Sequence, residues 1–336
     1  MRLRRVDCSA PGIRRVRRGR GFTYLDEDGE PIEDADVRDR IRGLAIPPAW
    51  TDVWICSDPR GHIQATGYDD AGRKQYRYHD SWREHRDREK FREMETFAAA
   101  LPELRQGIHA DLSLRGLVRD RVLGCAIRLL DLGFFRIGSE RYAAENETYG
   151  LATLKKGQLR IERGAAVFDY RAKGSKRHVQ VVADRAVLPT LKALKSRRGG
   201  GTELFAYRNG RDWRDVRSDD INEHLKELAG DSFSAKDFRT WNATVLAAVA
   251  LARHEPRELS RAARRRAINE AVKDVAAYLS NTPSVCRSAY IDPRVIDRFD
   301  SGETIRGAIE REIKGADPGE FPERERIEAA VLRLIR

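Results

Sequence analysis

The chain predicts an α+β fold in two parts. A small β-rich domain covers residues 1–90, and a larger, mainly helical domain with a small antiparallel sheet covers 91–336. Three observations carry this expectation. Before residue 80, short β-branched and aromatic runs alternate with turn signals such as Asp28-Gly29 and Pro47-Pro48. Beyond it, apolar residues recur at helical spacing. Four short strand-like runs then interrupt that helical pattern between residues 151 and 182. With 336 residues, 40% of them hydrophobic, each part has enough apolar side chains for a core.

The first elements are read in chain order. Arg14-Arg15-Val16-Arg17-Arg18-Gly19-Arg20 reads as a solvated basic arm or as extra phosphate contact. Tyr24–Ile32 reads as a hairpin around Asp28-Gly29. A short helix follows over Asp34–Leu44, ending before Pro47-Pro48, then strands at Val53–Ser57, His62–Thr66 and Lys74–Tyr78. Charged helical sequence from Ser81 to about Ala99 leads out of this unit.

In the second part, Leu114–Leu132 is strongly periodic, with Leu114, Val118, Val122, Cys125 and Leu129 on one face. The small sheet is expected from Leu151–Leu154, Gln158–Glu162, Ala166–Arg171 and Val179–Val182. Helices resume at Asp184–Lys195, Asp219–Leu228, Ala235–Ala252 and Glu258–Leu279, with short helices to the C-terminus.

Composition narrows the function classes. A net charge of +11 and an isoelectric point near 9.6 favour a polyanionic partner, and abundant arginine suits bidentate phosphate contacts. Four scattered cysteines without a C-x-x-C pair read as free thiols in a reducing compartment. No apolar run approaches the roughly 18–20 residues of a membrane span, and the arginine-rich N-terminus lacks the apolar core of a signal peptide. The expectation is a cytoplasmic, nucleoid-associated protein with no membrane partner. Walker A and G-x-G-x-x-G are absent, and His79 and His85 are spaced wrongly for a helical metal pair, so neither cofactor nor metal is expected.

The candidate chemistry is phosphoryl transfer by a tyrosine. In Ser280-Asn281-Thr282-Pro283-Ser284-Val285-Cys286-Arg287-Ser288-Ala289-Tyr290, Thr282-Pro283 reads as an N-cap and first helical position, with Tyr290 about two turns later. Arg136 has apolar flanks (Phe134, Phe135, Ile137) and should be partly buried, either paired with Glu140 or Glu145 or catalytic. Lys173 sits at a Gly174-Ser175 hairpin turn, where a lysine either faces solvent or enters a nucleic-acid groove as a general acid. Lys236 and Arg239 lie one turn apart near a helix start that Ser234 and Asp237 can cap, which favours an anion. A phenol would attack phosphorus while fixed guanidinium groups hold charge on the non-bridging oxygens and a lysine protonates the leaving oxygen. In Arg73-Lys74-Gln75-Tyr76-Arg77-Tyr78-His79, alternation places Lys74, Tyr76 and Tyr78 on one strand face, a pattern suited to a DNA surface or simply to an edge strand.

Together these segments resemble a type IB DNA topoisomerase, closest to the poxvirus-like bacterial branch. The resemblance runs from about Ile46 to Ile291. It is carried by Pro47-Pro48-Ala49-Trp50-Thr51-Asp52-Val53-Trp54-Ile55, Gly72–Tyr78, Arg136-Ile137-Gly138 with Glu145-Asn146-Glu147-Thr148, Lys236–Thr240, and Thr282-Pro283-Ser284 with Tyr290. It implies a catalytic domain shared with tyrosine recombinases, a DNA-binding N-terminal domain, and a monomer clamped around double-stranded DNA. The implied reaction relaxes supercoils through a transient 3′-phosphotyrosyl bond to Tyr290, then religates, without ATP or metal. Arg136 and Arg239 fall on the family's catalytic arginines and Lys173 on its general acid. Lys236 falls on the lysine before the second arginine. Gln75, Tyr76, Tyr78 and Tyr142 fall on DNA-contacting positions, with Arg73 and Lys74 beside them.

The chain departs from the family where histidine usually precedes Thr-Pro. Asn281 stands there and can donate a hydrogen bond to a non-bridging oxygen, but it carries no titrating charge. Two alternatives remain open: a tyrosine recombinase, against which Lys236 replaces the usual histidine of His-x-x-Arg, and a non-catalytic DNA-binding protein.

Overall fold

The computed structural model describes residues 2–133, 135–140, 143–144, 147–172, 174–315 and 323–336. The chain divides into two compact units, Met1–Lys90 and Phe91–Arg336.

The first unit is built on a five-stranded antiparallel sheet of order β2-β1-β3-β4-β5. Its strands are β1 Ile13–Arg18, β2 Gly21–Leu25, β3 Thr51–Ile55, β4 Ile63–Tyr68 and β5 Lys74–Tyr78. One face packs Ile13, Val53, Ile55 and Ala65 against Ile41 of helix α1 (Ala35–Gly43). The Asp34 carboxylate caps α1 by accepting from the Asp36 and Val37 amides. The basic segment at 14–18 is therefore strand β1 and not a free arm. Arg15 explains the difference. Its guanidinium donates to the carbonyls of Ile46, Pro47 and Trp50 and lies 4.2 Å from the Phe22 ring centroid. The expected hairpin at Tyr24–Ile32 survives as a tight turn. Its return arm makes a single bridge, Leu25 to Pro31, around Gly29 at φ +92°.

The second unit is mainly helical. Helix α2 (Asp80–Ser113) runs through Pro102 and buries Phe91, Met94, Phe97, Leu101, Leu104 and Ile108, well beyond the helix end expected near Ala99. Helix α3 covers Arg119–Asp131, shorter than the expected Leu114–Leu132. Gly116 stands at φ +76°, outside helical space, and leaves Leu114 and Val118 exposed. A three-stranded antiparallel sheet, β6 Leu159–Glu162, β7 Ala165–Ala172 and β8 Lys176–Val182, follows in order β6-β7-β8. The expected strand at Leu151–Leu154 is a 3-10 turn over Leu151–Thr153. A short hairpin of β9 Ala206–Asn209 and β10 Asp212–Asp215 was not legible in the helical reading.

Helices α4 (Leu188–Ser196), α5 (Ser218–Ala229), α6 (Ala235–Leu251) and α7 (Arg261–Tyr278) enclose the core. They are followed by α8 (Pro283–Ala289), α9 (Pro293–Asp300), α10 (Arg306–Gly315) and α11 (Arg324–Ile335). α6 is the central helix: Phe238 and Trp241 are almost wholly buried, and Phe97 meets Phe238 edge to face at 5.1 Å. Alanines at 243, 247 and 248 let neighbouring helices approach closely. Among the described residues, no helix is long and apolar enough to cross a membrane.

A buried ionic network pins α2, α3 and α11. Asp131 accepts from Arg105 at 2.9 Å, Arg128 at 2.5 Å and Arg324 at 3.0 Å, while Arg105 also donates to Glu328 at 2.6 Å. Burial alone would raise the Asp131 pKa, but the facing guanidinium groups outweigh it and hold the carboxyl below its ordinary range.

Candidate active site

Three segments of the second unit meet at the carboxyl end of α7. The last carbonyls of a helix have no partner within it and carry the negative end of its dipole, so cations settle there. Here two arginines do so. Arg239 donates to the Leu279 carbonyl, and Arg136 donates to the Ser280 carbonyl at 3.0 Å. The same Nη2 of Arg136 donates to Asn281 Oδ1 at 2.5 Å.

Arg136 is placed by backbone. Gly138 at φ +89° and Gly150 cross so closely that a Cβ on Gly150 would lie 2.4 Å from Gly138 Cα. That contact brings the Leu151 and Ala152 amides to the carbonyls of Arg136 and Ile137, at 2.8 and 2.7 Å. The alternative of an ion pair to Glu140 is not realised, because Glu140 accepts from the amide and hydroxyl of Ser218. Glu145 and the Asn146 site lie outside the described residues.

Arg239 sits one turn into α6 and is 7% exposed, whereas Lys236 is exposed at the start of the helix. The pair thus shares a helix side but not an environment. Asp237 accepts from the Ser234 amide at 2.8 Å and the Ser234 hydroxyl at 3.0 Å, closing the helix start. Burial, reinforced by the nearby Arg136 charge, pulls the Arg239 pKa below its ordinary value, and Tyr290 partly offsets this. Among the described residues, Arg239 Nε has no hydrogen-bond partner.

Asn281 follows Ser280, a non-glycine residue at φ +51°, a conformation that costs about 1–3 kcal/mol unless its surroundings hold it. The Asn281 amide donates to the Ala276 carbonyl at 2.8 Å. With Oδ1 engaged by a guanidinium, Nδ2 is the free end of the amide. It is buried and has no hydrogen-bond partner among the described residues. Thr282 then caps α8, its hydroxyl accepting from the Val285 amide, with Pro283 in the first turn. Tyr290 terminates α8, half-buried, with the Arg239 guanidinium carbon 5.3 Å from its ring centroid.

The structure thus brings Arg136, Arg239, Asn281 and Tyr290 together. Lys173 and Tyr142 lie outside the described residues. β7 ends at Ala172 and β8 begins at Lys176, with Gly174 and Ser175 both in the left-handed region, as a tight hairpin turn requires. A cavity beside the arginines is lined by Arg136, Tyr149, Tyr170, Ala172, His178, Arg239, Leu279 and Ser280. His178 was not singled out from the sequence, since nothing local distinguishes it.

In the first unit, the cross-strand partners Arg14, Trp54, Thr66 and Tyr76 form one row on the sheet face opposite α1. Tyr76 stacks on Tyr78 at 5.9 Å, and the Lys74 ammonium lies 5.8 Å from the Tyr76 ring. Gln75 is engaged differently: its amide and the Arg73 guanidinium both bind the Asp69 carboxylate, whose pKa the Arg73 contacts hold down at about 2. Strand register, which no single segment reveals, adds Arg14 and Trp54 to this face.

Comparison with known proteins bears directly on this arrangement. Residues 79–312 match the model of the eukaryotic DNA topoisomerase I catalytic core, and residues 21–69 match the bacterial DNA topoisomerase IB N-terminal domain. DNA topoisomerase 1B of Acanthamoeba polyphaga mimivirus is 30% identical over 83% of this chain and 85% of its own length. DNA topoisomerase 1 of Schizosaccharomyces pombe is 28% identical over 60% of this chain and 24% of the yeast protein. DNA topoisomerase 1 beta of Arabidopsis thaliana is 26% identical over 47% of this chain and 16% of the plant protein. With its core model matched over more than half of its length and its N-terminal model matched separately, the chain belongs to the type IB DNA topoisomerase family.

Proposed function

We propose that this DNA topoisomerase relaxes supercoiled duplex DNA through a transient 3′-phosphotyrosyl bond to Tyr290. The reading rests most directly on the turn at 279–281, where Arg239, Arg136 and the unpartnered amide nitrogen of Asn281 converge beside the Tyr290 ring. Tyr290 Oη attacks phosphorus as the P–O5′ bond breaks, the phenol proton passes to solvent, and the 5′-oxygen leaves as a hydroxyl. Lys173 protonates that oxygen. Arg136 and Arg239 hold the two non-bridging oxygens, with charge placed ahead of the transition state, and Asn281 Nδ2 donates a further hydrogen bond. One phosphoester replaces another, so cleavage and resealing are close to isoenergetic and torsional strain in the DNA drives relaxation.

The first unit acts as the DNA-binding domain and Phe91–Arg336 as the catalytic domain of a monomer that engages the duplex with both. Arg14, Lys74, Tyr76 and Tyr78 on the open sheet face, with Arg73, Gln75, Tyr142 and Lys236, supply the contacts. Phosphate contacts make affinity fall with salt. The deciding experiment is plasmid relaxation in EDTA without ATP. Wild type should relax the plasmid fully and Tyr290→Phe not at all. Failure by the wild type, or full activity in the variant, overturns the proposal.

A further inference from the structure

His178 belongs to none of the roles above, yet it reaches the centre of the site. It projects from β8, on a different element from either arginine, and its Nδ1 lies 3.2 Å from the Ser280 hydroxyl. Its ring packs on Tyr170 at 5.5 Å, and Tyr170 stacks on Phe135, the residue before Arg136. Ser280 is the strained member of the turn, at φ +51°, and it is the residue that Arg136 grips through its carbonyl and that immediately precedes Asn281.

A left-handed serine relaxes unless several contacts hold it. Among the described residues, three hydrogen bonds act on Ser280. Its amide donates to the Ala277 carbonyl at 3.1 Å, its carbonyl accepts from Arg136, and its hydroxyl meets His178. The first two belong to the helix end and to the catalytic arginine. The third links the turn to the β7–β8 hairpin on which Lys173 lies in sequence.

We propose that His178 is a positioning residue for strand cleavage. Acting through Ser280, it fixes the turn that presents Asn281 Nδ2 and Arg136 to the scissile phosphate, and ties that turn to the hairpin strand β8. The inference rests on the cleavage reading above. A group acting only on geometry at the phosphate should alter the chemical step and leave DNA affinity alone, since small misplacements at a reacting centre slow reaction steeply.

The test is single-turnover cleavage of a duplex oligonucleotide, with DNA affinity measured in parallel on Tyr290→Phe backgrounds. His178→Ala should slow cleavage by roughly 10- to 100-fold with affinity changed by less than about 2-fold. His178→Asn, whose amide can occupy the place of Nδ1, should recover most of the rate. Ser280→Ala should reproduce the loss and add nothing further to His178→Ala, as expected for two members of one contact. An unchanged rate in His178→Ala, additive losses, or no recovery with asparagine overturns the inference while wild-type cleavage leaves the enzyme reading intact. Absence of wild-type cleavage overturns both. Should His178→Ala not fold, the asparagine and Ser280 variants decide alone: Ser280→Ala at wild-type rate contradicts the inference.

Discussion

Arg136 donates to Asn281 Oδ1 at 2.5 Å, and that one bond determines which end of the amide faces the site. A guanidinium has no acceptor, so the amide must turn its oxygen toward it. The nitrogen is left buried and, among the described residues, without a hydrogen-bond partner. A neutral amide thus stands at this turn, and a neighbouring arginine sets its direction.

Toward the phosphate, Asn281 should therefore act only as a donor. Asn281→Ala is expected to slow single-turnover cleavage by roughly 10- to 1000-fold, the range for loss of one transition-state donor. Asn281→Asp keeps the acceptor for Arg136 but replaces the donor with an anion facing phosphate, and should be slower than alanine. An aspartate variant faster than the alanine variant would show that the amide nitrogen is not what contacts the phosphate.

Gly138 positions Arg136 through backbone alone. An added Cβ would lie 2.9 Å from Gly150 Cα while forcing a side chain into φ +89°. Gly138→Ala should destabilise the protein by about 1–3 kcal/mol. Its residual folded fraction should cleave DNA more slowly than wild type. Thermal unfolding and cleavage rate, measured together, check both parts.

His224 carries a pH-dependent stability term. It is 3% exposed on α5, between Asp111 at 2.7 Å and Glu227 at 2.6 Å, and Arg119 donates to both oxygens of the Glu227 carboxylate. Burial by itself lowers the His224 pKa, but the two carboxylates outweigh it and the net shift is upward. A raised folded-state pKa gives stability that is complete below the unfolded value, about 6.5, and is lost as pH rises through the folded one. Wild-type melting temperature should fall between about pH 6.5 and the alkaline range more steeply than that of His224→Gln. Parallel pH profiles would contradict the assignment.

The open sheet face of the first unit should contribute phosphate contacts. Arg14→Ala is expected to weaken DNA binding and to reduce the slope of log affinity against log salt by about 1, whereas Tyr76→Ala should weaken binding with little change in slope. Titrations at several salt concentrations separate the two.

Much of this site was legible in the chain because its signals are local. Thr282-Pro283 marks a helix start, Tyr290 caps the end of the same short helix, and Ser234 with Asp237 marks the helix that carries Arg239. The remainder depends on long-range contact. His178 meets Ser280 only because β8 packs beside the end of α7, and Arg14 joins Tyr76 only through the pairing of β1, β3, β4 and β5. The basic segment at 14–18 reads as a solvated arm or a phosphate contact because its arginine density resembles that of a tail; Arg14, Arg17 and Arg18 are exposed, but on a strand. Arg15, anchored on three carbonyls, shows a cation serving the fold instead. Leu114–Leu132 misled for a related reason, since periodicity continued across Gly116, where the backbone does not.

The most direct test of nucleophilic attack by Tyr290 is to trap the covalent protein–DNA adduct with detergent and map it by peptide mass spectrometry. The expected product carries a DNA 3′-phosphate on the peptide containing Tyr290 and frees a 5′-hydroxyl. A DNA linkage on any other residue, or attachment through a 5′-phosphate, would contradict it.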